Sequence, residues 1–349
     1  MSDLLDDVVT RLFTDRVTPD LLHAAETGRW PAELWDAVEE NGLTLPLVPE
    51  AKGGAGGTWG DAHVVMRAAG RHAVPLPLPE TIVAAWFLTE SGLEVPSGPM
   101  TLAPVHRGER LRLARAGNGW TLSGTAARVP WGRSAKHVVV VADPDARPHV
   151  ALVAAGDYRV TEDRSLGLEP RDTLVFDGAA VAAAAPIGAR VPPDAVWFYG
   201  ALARSAQMAG GLDYLVGQTT RYATERRQFG KPIGAFQAIQ WQLAILGEQA
   251  AAAGMAAAHA FRAADRGDPA FEIAVAKVRV GEAAGIGASI AHQVHGAIGF
   301  THEHALQLVT RRLWSWRAEF GGEGWWAARL GRSVAARGAD ALWPFLTAR

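Results

Sequence analysis

The chain has 349 residues, of which 49% are hydrophobic, a formal net charge of −2 and no cysteine. This length allows two or three domains with buried cores, and the near-neutral charge excludes the broad basic field typical of nucleic-acid-binding proteins. The lack of cysteine excludes disulfides, thiolate catalysis and cysteine-bound metals. The N-terminus is acidic and no apolar run has the length of a membrane span, which predicts a cytoplasmic protein with no membrane partner.

Residues 1–98 have the pattern of an α-helical domain. Trp30 and Pro31 precede a helical segment that ends near Gly42, because proline fits the first turn of a helix and glycine its end. Apolar segments interrupted by prolines follow at residues 64–69 and 81–88.

Residues 99–190 change to short runs rich in β-branched residues, which are typical of strands. The runs are residues 120–124, 137–142, 150–153 and 172–176, and turn residues such as 117–119 and 143–145 separate them. The pattern predicts a small β-barrel or a β-sandwich and leaves that choice open.

Residues 191–349 return to long, alanine-rich helical patterns at 196–226, 238–266, 269–296 and from Glu303 onward. A four-helix bundle buries the apolar faces of such helices. The predicted fold class is therefore α+β, with a helical domain, a middle β domain and a C-terminal helical bundle.

The most informative stretch is residues 226–240, RRQFGKPIGAFQAIQ. Gly230, Pro232 and Gly234 interrupt a helical pattern, so the chain turns there before the next helix. Arg226 and Arg227 end the first helix, where a guanidinium interacts with the carbonyl end of the helix or binds a phosphate. From the residues alone, an anion site and an ordinary capped helix hairpin are equally compatible with this stretch.

Three motifs in order resemble the acyl-CoA dehydrogenase family, flavoproteins that oxidise the Cα–Cβ bond of acyl-CoA thioesters. Residues 226–237 resemble its R-x-Q-F-G-x-x-(I/L)-x-x-F-Q signature. Residues 43–57, LTLPLVPEAKGGAGG, are similar to an N-terminal passage that ends in V-P-E-x-x-G-G. Residues 293–301, QVHGAIGFT, are similar to a C-terminal Q-x-x-G-G-x-G-F-T. The resemblance covers nearly the whole chain and implies the same α–β–α order.

The resemblance implies FAD between the β domain and the bundle, with its adenosine diphosphate part reaching a neighbouring subunit. A dimer or a tetramer is therefore implied. The residues at matching positions that would contact FAD are Arg226, Phe229, Gln237, Gln293 and Gly296, with Thr301 and Glu303 near the adenine. Residues 124–135 resemble the family's G-x-K-x-x-I-x-x-A strand and turn, which would put Trp131 and Ser134 near the flavin ring, but a core tryptophan and a turn serine are equally compatible. Glycine permits close approach of the backbone to a pyrophosphate, but the turn at Gly296 is also compatible with a plain helix end.

Four histidines lie close together in sequence: His292, His295, His302 and His304. Such a cluster is compatible with zinc ligation, but a Gly-rich turn separates the two pairs. The family resemblance accounts for this segment without a metal, and we expect no metal site here.

Oxidation of an acyl-CoA requires a carboxylate that removes the α-proton, with a pKa that burial raises toward the working pH. The family resemblance implies one of two positions for it. Counting from the C-terminal motif leads to Phe320 or Gly321, and counting back from Arg226 leads to Gly200, so neither position holds a carboxylate. Glu319 is the candidate base if the alignment has a one-residue gap, and Glu323 is the next candidate; as an alternative, both are ordinary solvated charges.

Two further departures point to a subclass. Residues 101–108 lack the T-E-P-x-A-G-S-D loop that covers the flavin in typical members, while residues 311–321, RRLWSWRAEFG, resemble short actinobacterial-type members that pair with a second, different subunit. The resemblance thus implies an α2β2 enzyme or a homo-oligomer that passes electrons to an electron-transferring flavoprotein, with a bulky, steroid-type acyl-CoA as one possible substrate. The alternatives are a non-catalytic subunit that completes a partner's FAD site, and a relative that has lost flavin chemistry.

Overall fold

The computed structural model describes residues 2–106, 109–142 and 147–348, and the side chains from Leu4 onward. The turn expected at residues 143–145, and the last two residues of the segment compared with the family's lid loop, lie outside the described residues. Within these ranges no helix combines the length and the apolarity that crossing a membrane requires.

Five helices form the N-terminal part: α1 (Ser2–Arg16), α2 (Pro19–Glu26), α3 (Ala32–Glu40), α4 (Trp59–Arg71) and α5 (Leu78–Glu90). A capping box begins α4, where Thr58 and Asp61 satisfy each other's backbone amides. The carboxylate of Asp265, from a distant helix, also accepts a hydrogen bond from the amide of Trp59 at 2.7 Å. Helix α5 is buried on every side from Leu78 to Leu88, so it lies inside the protein rather than on its surface.

Two four-stranded sheets form the middle part. The first has the order β1 (Met100–Leu102), β4 (His137–Ala142), β5 (His149–Ala154) and β8 (Ala183–Pro186), with β1 parallel to β4. The second has the order β2 (Leu111–Ala116), β3 (Gly119–Pro130), β7 (Arg171–Ala180) and β6 (Arg159–Thr161) and is antiparallel.

Inward-facing side chains of both sheets share one core, which includes Leu113, Leu122, Val140, Val153 and Phe176. Two separate sheets with a common core make a β-sandwich, so the structure decides the choice that the sequence left open. The four strand runs predicted from sequence lie in β3, β4, β5 and β7.

The C-terminal part contains α6 (Ala195–Glu225), α7 (Gln237–Arg266), α8 (Ala270–His295) and α9 (Leu306–Ala318), which pack as a four-helix bundle. Two shorter helices follow, α10 (Glu323–Ala335) and α11 (Ala339–Thr347). The predicted fold class and bundle are confirmed, and the first three bundle helices begin and end within one residue of the predicted positions.

The turn predicted at residues 226–234 is a β-hairpin of β9 (Arg227–Gln228) and β10 (Lys231–Pro232). Its two loop residues, Phe229 and Gly230, have φ angles of 49° and 80°. Positive φ at both positions is the geometry of the tightest hairpin turns.

Helices α4 and α6 cross where glycines face each other's backbone. A Cβ atom on Gly210 would lie 1.9 Å from the carbonyl oxygen of Arg67, and one on Gly70 would lie 2.0 Å from that of Gln207. Only glycine permits this approach, which brings the N-terminal helices onto the bundle.

We predict that Gly210→Ala lowers the free energy of unfolding by about 1–3 kcal/mol, because a backbone atom cannot yield to the added methyl group. Gly217→Ala is the matched control on the same helix, since a Cβ there meets nothing within 4 Å. Urea denaturation of both variants measures the difference. Equal stabilities would show that the crossing does not depend on Gly210.

Candidate active site

A crevice of about 340 Å³ lies where the β-sandwich meets helix α9. Sandwich residues and the loop before β7 line one side, and α9 with the residues after it line the other. The lining residues are Pro104, His106, Arg128, Pro130, Asp163, Arg164, Ser165, Leu166, Arg171, Trp314, Ser315, Ala318, Glu319 and Phe320. The candidate base Glu319 is therefore a wall of this crevice.

Two guanidinium groups hold the carboxylate of Glu319. Its Oε1 accepts from Nε of Arg171 at 2.8 Å and its Oε2 accepts from Nε of Arg204 at 2.6 Å. Burial alone would raise the pKa of Glu319, but the two positive charges and their hydrogen bonds outweigh it and lower the pKa to about 2. The expectation of a raised pKa is wrong for this residue, because sequence reasoning did not place two arginines beside it. Its role as base stays a prediction.

The two positions to which the base counts led, Gly200 and Phe320, lie against each other. A Cβ atom on Gly200 would be 2.3 Å from Cδ1 of Phe320, so the phenyl ring occupies the space of any side chain at position 200. Phe320 has a φ of 52°, and its carbonyl accepts from Nε1 of Trp326 at 3.0 Å. The two positions predicted for the base are therefore neighbours in the fold, and the ring of Phe320 fills the space between them.

The second candidate base, Glu323, does not line the crevice. It begins α10 and pairs with Nε of Arg317 at 2.6 Å. Its carboxylate lies against α8, where a Cβ on Gly281 would meet Oε1 at 2.4 Å.

Sequence reasoning missed a second carboxylate of the crevice, Asp163. Its loop follows β6 and contacts α9, because the amide of Gly167 donates to Oγ of Ser315 at 2.9 Å. Nothing in the local sequence indicates this contact, which joins residues 148 positions apart. Asp163 accepts a hydrogen bond from the amide of Arg164 at 2.7 Å and is exposed.

Glu319 belongs to a larger buried network. Arg204 also binds Glu80 on α5 at 2.5 Å, and Arg171 also binds Glu169 at 2.9 Å. The network continues through Arg312, which pairs with Glu169 and with Glu26 on α2 at 3.5 and 3.3 Å. Ion pairs therefore connect the N-terminal helices, the sandwich and the bundle behind the crevice.

Most residues matched to FAD contacts lie elsewhere, at one end of the bundle. The ring of Tyr222, near the end of α6, stacks on His295 at 4.3 Å, which brings the hairpin that carries Arg226 and Phe229 near the end of α8. Arg226, Gln237 and Gln293 are exposed, and their side chains bond to no other residue of the described ranges.

Gly296 ends α8 with a φ of 66°, and a Cβ there would meet nothing within 4 Å. Open space at a glycine, beside free guanidinium and amide groups, fits a pyrophosphate-containing ligand such as FAD. Thr301 and Glu303 follow on the same segment; Thr301 donates to the carbonyl of Ile298 at 3.0 Å, and Glu303 is exposed.

The buried histidines of this region have packing partners. A ring nitrogen of His292 lies 2.8 Å from Oγ1 of Thr310, and Nδ1 of His295 lies 2.7 Å from the carbonyl of Ala291. Burial lowers the pKa of both. In the parts of the chain that the structure describes, no three His, Asp or Glu side chains are arranged to hold a metal ion.

Trp131 and Ser134 line neither the crevice nor the bundle end. They lie in a separate small pocket that Trp30 and Pro75 of the N-terminal part complete. The structure therefore brings together Arg226, Phe229, Gln293, Gly296 and their neighbours, and leaves this pair apart from them.

We predict that Glu319→Gln lowers the free energy of unfolding by about 3–5 kcal/mol, because it removes one of the two carboxylate partners of each of two buried guanidiniums, Arg171 and Arg204. The pKa of Glu319 falls on folding from 4.5 to about 2, so its stabilising effect is complete above pH 4.5 and is lost as the pH falls through about 2. Urea denaturation at several pH values measures both effects.

Glu323→Gln is the control, because its ion pair is partly exposed and contributes less than about 1 kcal/mol. If Glu319→Gln lowered the free energy of unfolding no more than Glu323→Gln does at neutral pH, the ion pairs of Glu319 would contribute no more than a partly exposed pair.

Family models match both helical parts of the chain. The N-terminal domain of acyl-CoA dehydrogenase matches residues 2–94, and the C-terminal domain matches residues 199–324. The acyl-CoA dehydrogenase FadE27 of Mycobacterium tuberculosis is 31% identical over 262 residues, covering 70% of this chain and 69% of that protein. The acyl-CoA dehydrogenase IpdE2 of Mycolicibacterium smegmatis is 28% identical and covers 89% of this chain and 91% of its own length.

Solved structures agree over almost the whole length. A chain of the ChsE4-ChsE5 complex from Mycobacterium tuberculosis superposes with a TM-score of 0.88 at 27% identity, covering 97% of this chain and 98% of that one. A variant of the Tcur3481-Tcur3483 steroid ACAD gives a TM-score of 0.87 at 28% identity, covering 96% and 98%. The motifs, the fold and these relatives agree, and the chain belongs to the acyl-CoA dehydrogenase family of oxidoreductases.

Proposed function

We propose that this chain is a subunit of an FAD-dependent acyl-CoA dehydrogenase that forms a double bond between the α and β carbons of an acyl-CoA thioester and passes electrons to an electron-transferring flavoprotein. The convergence of Gly200 and Phe320 beside the crevice carries the proposal. Counting from the family's motifs leads to these two positions for the catalytic base. Their meeting supports the crevice as the place of reaction.

The crevice suits an acyl thioester. Leu166, Trp314 and Phe320 give it apolar walls, while Arg128 adds an exposed guanidinium that bonds to no other described residue. An unpaired guanidinium suits the phosphate groups of coenzyme A. An acyl group would lie among the apolar side chains, with the charged part of the ligand toward Arg128.

The end of the bundle suits FAD, which when bound supplies the oxidant for the hydride lost from the β carbon. Arg226 would neutralise the pyrophosphate, Gly296 would permit its close approach, and Gln237 and Gln293 would hydrogen-bond to it or to the base. Phe229 is 91% exposed at the hairpin tip, which suits a contact with cofactor or protein across a subunit boundary.

Thr301 and Glu303 would lie near the adenine. Only the family resemblance supports a role for Trp131 and Ser134 beside the flavin ring.

We infer that the acceptor of the α-proton comes from a second, different subunit. Two observations support this: Phe320, to which the count for the base led, packs on Gly200, and Glu319 is ionised and paired with Arg171 and Arg204. Relatives named as the ChsE4-ChsE5 and Tcur3481-Tcur3483 pairs support a heteromeric assembly, with α2β2 as the simplest stoichiometry. The alternative is a homo-oligomer in which Glu319 or Glu323 is the base. In that case Glu319 would have to leave Arg171 and Arg204, or Glu323 would have to leave Arg317.

The name of the Tcur3481-Tcur3483 relative also supports a bulky, steroid-type acyl group as substrate. The match to both acyl-CoA dehydrogenase domains supports a role in β-oxidation, for which we propose a cytoplasmic location.

We expect the chain co-purified with its partner subunit to have a flavin absorption band that bleaches when a steroid-type acyl-CoA is added anaerobically. The flavin band of the chain alone should not bleach, because position 320 holds a phenylalanine in place of a carboxylate. A colourless complex would contradict the cofactor assignment, and full bleaching by the chain alone would contradict the need for a partner.

The same spectra test the cofactor site. In Arg226→Met the affinity for FAD should fall by about tenfold to a hundredfold, the effect of losing a charge-assisted hydrogen bond of about 1.5–3 kcal/mol. Arg227→Met, one residue away and equally exposed, is the control and should retain FAD. Equal FAD contents in the two variants would argue against the proposed place of the pyrophosphate.

A further inference from the structure

One face of helix α8 carries Lys277, Gly281 and Gly285 at four-residue spacing. A Cβ on Gly281 would lie 2.4 Å from the Glu323 carboxylate, and one on Gly285 would lie 2.7 Å from the Arg317 guanidinium. The two glycines therefore let the end of α9 and the start of α10 lie directly against α8. Lys277 stands at one end of this face.

The ammonium group of Lys277 is completely buried, with 0% of the residue exposed. Its Nζ donates to the carbonyl of Arg317 and to the carbonyl of Gly321, both at 2.7 Å. One group thus binds the last turn of α9 and the residue four positions further along the chain. These are short, charge-assisted hydrogen bonds, which are stronger than neutral ones.

The residues between these two carbonyls include the crevice walls Glu319 and Phe320. Phe320 and Gly321 have φ angles of 52° and 92°. For phenylalanine this region of φ is unfavourable, so neighbouring contacts must hold it there. Lys277 holds both ends of the strained segment, while Trp326 holds its middle through the Phe320 carbonyl.

We propose that Lys277 is a positioning residue for the dehydrogenation reaction, and that its buried ammonium fixes the backbone of residues 317–321 so that Phe320 and Glu319 face the ligand in the crevice. This inference rests on the proposed function for the reaction, although the fixed geometry itself is independent of it. Lys277 does not line the crevice and acts only through the segment that it binds.

We expect the hold of Lys277 on this segment to weaken as the pH rises through neutrality. Burial lowers the pKa of Lys277 to about 7, against the opposing attraction of Glu323 on α10 and Glu319 after α9. Arg204 on α6 and Arg317 on α9 also face it and favour the neutral amine. Deprotonation leaves two neutral hydrogen bonds in place of charge-assisted ones, so the segment is held less firmly above pH 7.

Two NMR signals of the wild-type holo-complex test the proposal. The chain has four lysines, so [ε-¹³C]lysine labelling of this chain gives four signals. The Trp326 indole N–H, assigned with Trp326→Phe, reports on the Phe320 carbonyl. We expect the Lys277 signal and the Trp326 signal to titrate together with a midpoint near pH 7. Titration of Lys277 without any change at Trp326 would overturn the proposal.

The second test compares Lys277→Met with Lys52→Met, a lysine exposed in the N-terminal part. In Lys277→Met we expect kcat to fall about tenfold or more, because the reacting groups are displaced, while KM stays nearly unchanged. The decrease in kcat that we expect in the wild type as the pH rises through about 7 should be absent from this variant. Lys52→Met should keep the wild-type profile. Retention of the kcat, its decrease with pH and the Trp326 signal in Lys277→Met would overturn the proposal. If the wild type itself has no activity, the proposed function fails, while the Trp326 signal still decides the role of Lys277.

Discussion

The structure depends on one chain of buried ion pairs between parts that are distant in sequence. Glu80 on α5, Arg204 on α6, Glu319 after α9 and Arg171 on β7 are linked directly, and the same network continues through Glu169 to the N-terminal helices. Such pairs contribute little net stability compared with an apolar core, but removing one partner is costly because a charge is left buried. They therefore define the relative positions of the three parts more than they stabilise them.

That constraint has a consequence for the reaction. Glu319 is the carboxylate that the sequence predicted as base, yet the two guanidiniums keep it ionised with a pKa of about 2, far too low for efficient proton abstraction near neutral pH. Beside it, Phe320, to which the count for the family's carboxylate led, packs on Gly200. The carboxylate of Glu319 is therefore engaged by the buried network rather than free toward the crevice. An acceptor from another subunit is then the simplest way to complete the reaction.

Much of the fold follows from local sequence. The long helices were predictable because alanine-rich segments with periodic apolar residues are continuous over more than 25 residues and end at Gly, Pro or the hairpin at Phe229. Four strands of the sandwich, β3, β4, β5 and β7, were predictable for the same local reason, because they contain runs rich in β-branched residues. The strands β1, β2, β6 and β8 were not predicted, and β8 is an alanine-rich strand without β-branched residues. The choice between a β-barrel and a β-sandwich was not predictable, because it depends on how the two sheets pack against each other.

The sequence singled out a carboxylate of the crevice but did not reveal the charges around it. Motif spacing placed Glu319 beside the reacting position, and the structure puts it in the crevice. Its partners Arg171 and Arg204 are 148 and 115 residues away in sequence, so no local pattern reveals them. The same holds for Lys277, whose partners Arg317 and Gly321 meet α8 only in the folded chain. Asp163 reaches the crevice because its loop contacts α9, and local sequence does not reveal that contact either.

The most direct test of this account is the ¹³C chemical shift of the Glu319 carboxyl carbon, followed as a function of pH in the assembled protein. Assignment requires only the Glu319→Gln variant, or Glu319→Asp if the first does not fold. We predict the shift of an ionised carboxylate throughout the range from about pH 8 to about pH 3, well below the usual glutamate pKa of about 4.3. A titration midpoint near neutrality would contradict the account, because Glu319 would then be a competent base rather than the anchor of the buried network.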